Sequence, residues 1–207
     1  MSNCEPIIKR ALGAAWYELH PIIRRQHNLM PCTKTEVVMN GVMYEVFHSR
    51  IAKLFVLPGR WLFGALVQYR GTDVPTQVRN WTVVENESIY WHRVFHFHEK
   101  QPVVFASRMA YLEGDEVIEY VRFGLGMRMR LAVDNGCLIY ESTGYQWDLG
   151  VLSLRFPTWL ILGRSAIRQT GLSDTEFEMD FRMQHPLFGK TFGYAGRFKL
   201  SGPLQAE

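Results

Sequence analysis

Arg93 is the residue best placed to act on a ligand. It stands two residues from Trp91 and two from Phe95, so in an extended strand all three project from one face. His92, Val94 and His96 fill the alternate positions, which makes the Arg93 face the interior one. A guanidinium there needs a partner, because an isolated buried charge is strongly disfavoured. Glu119, between Val117 and Val121, is placed in the same way. Two roles follow for Arg93. It forms a structural pair with Glu119, or it holds an anionic or carbonyl group of a ligand inside an apolar cavity. Met109, Met127, Met129, Met179 and Met183 fall on inward faces and would give such a cavity an adaptable lining. Tyr111, Tyr194 and Glu119 are the inward groups able to exchange a proton. The candidate ligand-binding set is Trp91, Arg93, Phe95, Met109, Tyr111, Glu119, Met129 and Tyr194.

Other chemistry-bearing patterns are weaker. His92, His96 and His98 share one strand face, but zinc needs further ligands and a supporting shell, and the wetter face suits solvated histidines. Glu176, Glu178 and Asp180 alternate with Phe177, Met179 and Phe181, which describes a solvated face better than a carboxylate pair. Arg128 and Arg130 are candidates for the matching exterior charges. Ser153 and Ser165 lie outside any Gly-x-Ser-x-Gly string. Gly124-x-Gly126 lacks the third glycine and the βαβ setting of a dinucleotide site. No metal and no cofactor are expected.

The elements that position these residues change period once. Ile8, Leu12, Ala15, Leu19, Ile22 and Ile23 recur at helical spacing between Ile7 and Leu29, with a bend near Pro21. A second helical pattern, Val46, Ile51, Leu54 and Phe55, stops at Pro58-Gly59. From about Val74 the period becomes two, the mark of antiparallel sheet with one wet face. Asp134-Asn135-Gly136 is a strong hairpin signal. Turn residues also cluster at Glu85–Glu87, His98–Gln101, Glu113–Asp115 and Gly171–Asp174. The pattern predicts a β-rich α+β fold in a single domain, residues 1–207. Residues 1–70 would be mainly helical, and residues 74–202 a meander of about eight strands. A meander of that length curls into a barrel or strongly bent sheet, with the N-terminal helices packed on it. Trp61–Leu66 and Phe156–Leu162 fall outside clean alternation; lid, core and membrane-interface roles stay open for both.

Composition bounds the rest. The 207 residues are 47% hydrophobic and 21% charged, which excludes disorder. A net charge of +3 gives no reason to expect nucleic-acid binding. Three cysteines, Cys4, Cys32 and Cys137, form no CxxC pair, so neither a disulfide framework nor a four-cysteine zinc site is supported. No apolar run approaches the ~20 residues of a spanning helix. The first ten residues carry Lys9-Arg10 where a signal peptide would be apolar, so a cytoplasmic location is expected.

Several strings resemble one bacterial family, catalogued as domain of unknown function 4166. They are Leu12-Gly13 with Trp16, Leu19 and His27; Trp91-x-Arg93-x-Phe95; Glu119 with Phe123-Gly124; Leu149-Gly150 with Pro157-x-Trp159-Leu160; and His185-Pro186-Leu187-Phe188-Gly189 with Tyr194-x-Gly196. Glu119 and Arg122 are separated by Tyr120-Val121, a departure from the family's usual adjacent Glu-Arg. Members occur alone or behind a part resembling saccharopine dehydrogenase, so the resemblance implies such a reductase as a possible partner. The family brings no established activity, hence no catalytic residue. Three functions remain in play: a module binding a small apolar or lipid-like molecule with a polar or acidic head; an isomerase, cyclase or hydrolase using the same cavity; and an accessory domain docking on a reductase. A sheet-dominated circular dichroism spectrum is expected, and a helix-dominated one would refute the period-two reading.

Overall fold

The structure, a computed structural model, describes residues 5–54 and 67–201. Cys4, Phe55, Pro58-Gly59 and Trp61–Leu66 lie outside the described residues. The chain opens with two short helices, α1 (Ile7–Leu12) and α2 (Pro21–His27), joined by a 3₁₀ turn at Gly13–Glu18. Pro21 takes the first position of α2, where a missing N–H costs no hydrogen bond, so the predicted bend is a new helix start. Helices of six and seven residues are marginal alone. These are held by burying Ile7, Ile8, Trp16, Ile22 and Ile23 against the sheet.

Eleven strands follow: β1 (Glu36–His48), β2 (Gly71–Thr82), β3 (Ile89–Phe95), β4 (Val103–Tyr111), β5 (Glu116–Tyr120), β6 (Leu125–Asp134), β7 (Cys137–Asp148), β8 (Ser153–Phe156), β9 (Arg164–Gly171), β10 (Glu176–His185) and β11 (Gly189–Ser201). Every pairing is antiparallel between chain neighbours, apart from β7 with β9 and the closing pair β1 with β11. β6 covers one edge of β7 along nearly its whole length, so β8 and β9 must share the other. They do so end to end, Tyr145–Asp148 facing β8 and Leu138–Glu141 facing β9. β8 and β9 are therefore one barrel stave interrupted by an excursion at residues 157–163. The result is a closed ten-stave antiparallel barrel, two staves more than the eight counted from alternation. The β6–β7 turn is the predicted one: Asn135 (φ 49°) and Gly136 (φ 78°) both take the left-handed conformation that a tight hairpin demands.

The helical expectation for Val46 is wrong: the described stretch before residue 70 also contains a strand. Val46 belongs to β1, whose pairing with β11 slips between Met43 and Glu45. The extra residue, Tyr44, is a β-bulge. It spaces the inward residues Met43 and Val46 three apart, which imitates a helix in sequence. The exterior charges also pair differently from expectation. Glu176 meets Arg197, and Asp180 meets Arg182 on its own strand, while Arg128 and Arg130 meet Glu116 and Asp115.

The barrel's two ends differ. The helices plug the end that holds the β6–β7 hairpin. There the His20 N–H donates to Gly136 O at 2.9 Å, and Arg10 bonds Glu87 at 3.2 Å. α2 is also pinned to the wall from within. Gln169 Oε1 on β9 accepts from His27 Nε2 at 2.7 Å and from Gln26 Nε2 at 3.3 Å. Burial pushes the His27 imidazole down to about 4, only partly offset by its bond to Gln169. Between about 4 and the ordinary 6.5 the unfolded chain takes a proton that the folded chain refuses. The contribution of His27 is therefore complete above 6.5 and is lost as pH drops toward 4, a total of about 3 kcal/mol across that window. Urea denaturation across this range should show His27→Gln less acid-sensitive than the parent; an identical pH dependence would disprove the assignment.

Candidate functional site

Alternation brings Arg93, Ser107 and Glu119 inward from three adjacent strands, β3, β4 and β5. Arg93 lies opposite Phe105 in the register, and Glu119 lies opposite Met109. Ser107 is thus the diagonal neighbour of both, and the long guanidinium spans the step. Arg93 donates from Nη2 to Glu119 Oε1 at 2.9 Å and from Nη1 to Ser107 Oγ at 3.1 Å. Ser107 in turn donates to Glu119 Oε1 at 2.5 Å. Arg93 is 4% exposed and Glu119 7%, so solvent screens this pair little. The guanidinium carbon also lies 4.5 Å from the Trp91 ring centre and 4.7 Å from that of Phe105.

This network borders a cavity of about 360 Å³ inside the barrel. Gln169 and Tyr140 lie toward the plugged end. Phe105, Met127, Met179 and Phe181 line the wall, and Leu54, Val121, Leu125 and Ile161 lie toward the end that the helices leave open. Trp91 Nε1 and the Tyr140 hydroxyl are buried without a hydrogen-bond partner among the described residues. Burial raises the Tyr140 and Tyr145 phenols well above their ordinary value. Tyr194 is pushed up to about 12 by burial, against the opposing effect of Arg93 and with a small addition from Glu119. All three stay protonated at neutral pH. The cavity thus offers one internally neutralised ion pair, uncharged phenols and apolar surface.

Of the eight candidate residues, Trp91, Arg93, Glu119 and Tyr194 line this cavity. Phe95, Met109 and Met129 do not; they are wholly buried in the packed core. Tyr111 stands at the plugged end, beneath the Arg10 guanidinium at 4.0 Å, and donates to Gly114 O. Strand parity tells inward from outward but not depth along the barrel, which is why four of the eight miss the cavity. Ser107 was legible as the one polar residue in the inward run Val103, Phe105, Ser107, Met109. Gln169 and Tyr140 come from strands whose alternation the sequence reading did not resolve. His92 lies on the outer face of β3, while His96 and His98 follow the strand's end and border an open groove of about 780 Å³. No cluster of three metal-ligating side chains occurs among the described residues.

A family model described as Domain of unknown function (DUF4166) matches residues 19–198. The chain belongs to this family. No curated protein and no solved structure matches it. Every residue that lines the cavity of this DUF4166 chain falls within the matched span, as does α2; α1 precedes it.

The buried triad gives a direct test. Arg93→Met leaves Glu119 without its counter-charge and should destabilise the fold by about 3–5 kcal/mol. Adding Glu119→Leu removes the stranded carboxylate and should recover most of that loss, read as the urea midpoint. Losses that simply add would show that the two side chains are not coupled.

Proposed function

We propose that the barrel is a binding module that holds a small apolar or lipid-like molecule with its polar head against Arg93. The observation that carries this reading is the cavity itself. Its volume, about 360 Å³, falls in the range of about 300–1,000 Å³ typical of small-molecule sites. A barrel filled by its own side chains would have favoured the accessory-domain alternative instead. The lining favours holding over converting a ligand. Glu119 is tied to Arg93 and Ser107, and the lining phenols of Tyr140, Tyr145 and Tyr194 are held protonated by burial.

The charge balance also bears on the head group. Glu119 already neutralises Arg93, so an acidic head would place a second carboxylate beside the first. A hydroxyl or carbonyl can instead bond the spare guanidinium N–H groups without adding charge. Decanol should therefore bind the parent protein more tightly than decanoate at neutral pH. Glu119→Gln releases the guanidinium charge and should shift the preference toward decanoate by roughly ten-fold or more. Calorimetric titration of both ligands into both proteins reads this directly. Met179→Trp fills the cavity and should weaken both ligands. Failure of either ligand to bind, with nothing retained in native mass spectra of the freshly purified protein, would reject the proposal.

A further inference from the structure

We propose that the open end of the barrel docks on an anionic lipid bilayer. The exposed apolar side chains are distributed very unevenly. Among the described residues the plugged end exposes three large ones, Tyr17, Val84 and Leu172. The open end exposes Ile51, Leu54 and Phe123, and adds Leu149, Val151, Leu152 and Leu154 on the β7–β8 hairpin. Trp159 and Leu160 project from the excursion at 157–163, and Leu187 and Phe188 from the β10–β11 turn. Val151 is fully exposed, Leu187 is 81% exposed and Trp159 56%.

The chemistry of these loops is unusual for turns that face only water. Tight turns are ordinarily built from glycine, proline, asparagine, aspartate and serine. The β7–β8 turn reads Leu149-Gly150-Val151-Leu152, closed by Leu149 N–H donating to Leu152 O at 2.8 Å. Glycine is there for the turn, and three aliphatic tips point outward around it. The loops are also held to one another. His185 Nε2 donates to Trp159 O at 2.7 Å, and Thr191 Oγ1 donates to Leu162 O at 2.5 Å. The tips of the excursion and of the β10–β11 turn are therefore braced against one another, as a shallow insertion surface requires.

Charge supplies the identity of the partner. The described connections at this end, residues 49–54, 67–70, 96–102, 121–124, 149–164 and 186–189, carry Arg50, Lys53, Arg70, Lys100, Arg122, Arg155 and Arg164 against one acid, Glu99. None of these seven cations lies within ion-pair distance of a carboxylate among the described residues, although Arg155 is near enough to Asp148 to help hold its carboxyl low; several arginines on the barrel's flank are paired. Apolar tips ringed by an excess of cations match the apolar interior and negative headgroups of an anionic leaflet. The mode is interfacial: no helix of the described residues is long and apolar enough to cross a membrane. The flank carries paired charges rather than the apolar band that faces lipid in a spanning barrel. The cavity's Leu54, Val121 and Ile161 lie toward this same end, so docking would bring the bilayer's acyl region to the cavity's entrance.

The test is co-sedimentation of the full chain with vesicles of phosphatidylcholine alone and of phosphatidylcholine mixed with phosphatidylglycerol. Binding should be clear on the mixed vesicles, weaker on the neutral ones, and reduced by salt. Val151→Ser combined with Leu152→Ser should lower partitioning by about ten-fold or more, and Trp159→Ser alone by a similar factor. Arg155→Gln with Arg164→Gln should lower binding to mixed vesicles several-fold and leave binding to neutral ones unchanged. Leu172→Ser, at the plugged end, serves as the control and should change nothing. All these side chains are exposed, so unchanged melting temperatures are expected and confirm that each variant is folded. No binding of the parent to mixed vesicles overturns the proposal, as does equal loss in Leu172→Ser. A stable dimer by light scattering that the Val151 and Leu152 changes convert to monomer also overturns it, since a second copy would then cover the surface. Vesicle binding needs no ligand in the cavity, so this proposal and the cavity reading can fail separately.

Discussion

A guanidinium in the middle of an apolar barrel has to be neutralised where it stands, and that requirement shapes everything around Arg93. Its counter-ion cannot come from its own strand, where Trp91 and Phe95 occupy the neighbouring inward positions. It comes from β5, one strand beyond the nearest, and the gap is closed by Ser107 on the strand between. Three consecutive strands are thereby fixed in one register. A slip of one residue on any of them would turn its polar member outward and strand the other two. The pair is also the principal charged feature of the cavity wall, so the element that specifies the register sets the electrostatics of the site.

The same barrel handles its two ends in opposite ways. At one end the short helices fill the opening, with His27 and Gln26 converging on Gln169 and their apolar faces merging with the strand side chains. At the other end the chain leaves the barrel wall between β8 and β9 and returns at Gly163. There the backbone passes so close to Gln184 O that an added Cβ would lie 2.1 Å from it. A side chain at 163 would push the returning stave off β10. The interruption leaves part of the wall unpaired beside the cavity, and the loops gathered there carry the apolar tips and unpaired cations. One end is thus sealed by the helices, and the other carries an apolar rim with an excess of basic residues.

Legibility from sequence followed the physics of period. Where one strand face is packed and the other wet, alternation is forced, and β3, β4, β6, β10 and β11 were readable for that reason. The Asn135-Gly136 turn was readable because few residue pairs tolerate two successive left-handed conformations. β1 was hidden because its bulge breaks the period in the middle and exposes Val42 and Tyr44 on the outer face. The β8–β9 stave was hidden because the excursion splits it into two short pieces, one of them largely exposed.

The sequence by itself determined that this is an antiparallel β-rich chain, that Arg93 and Glu119 both face inward, and that the two are candidates for one another. Each of those conclusions needs only the two-residue repeat of a strand and the penalty for burying a lone charge. The tertiary structure alone decided that the sheet closes, because closure depends on β1 meeting β11 across most of the chain. It decided which inward residues reach open volume, because depth along a barrel depends on strand tilt and on what plugs the end. It also gathered the apolar tips of loops distant in sequence onto one surface, since the alternate connections of a meander are drawn around a single rim only once the barrel closes.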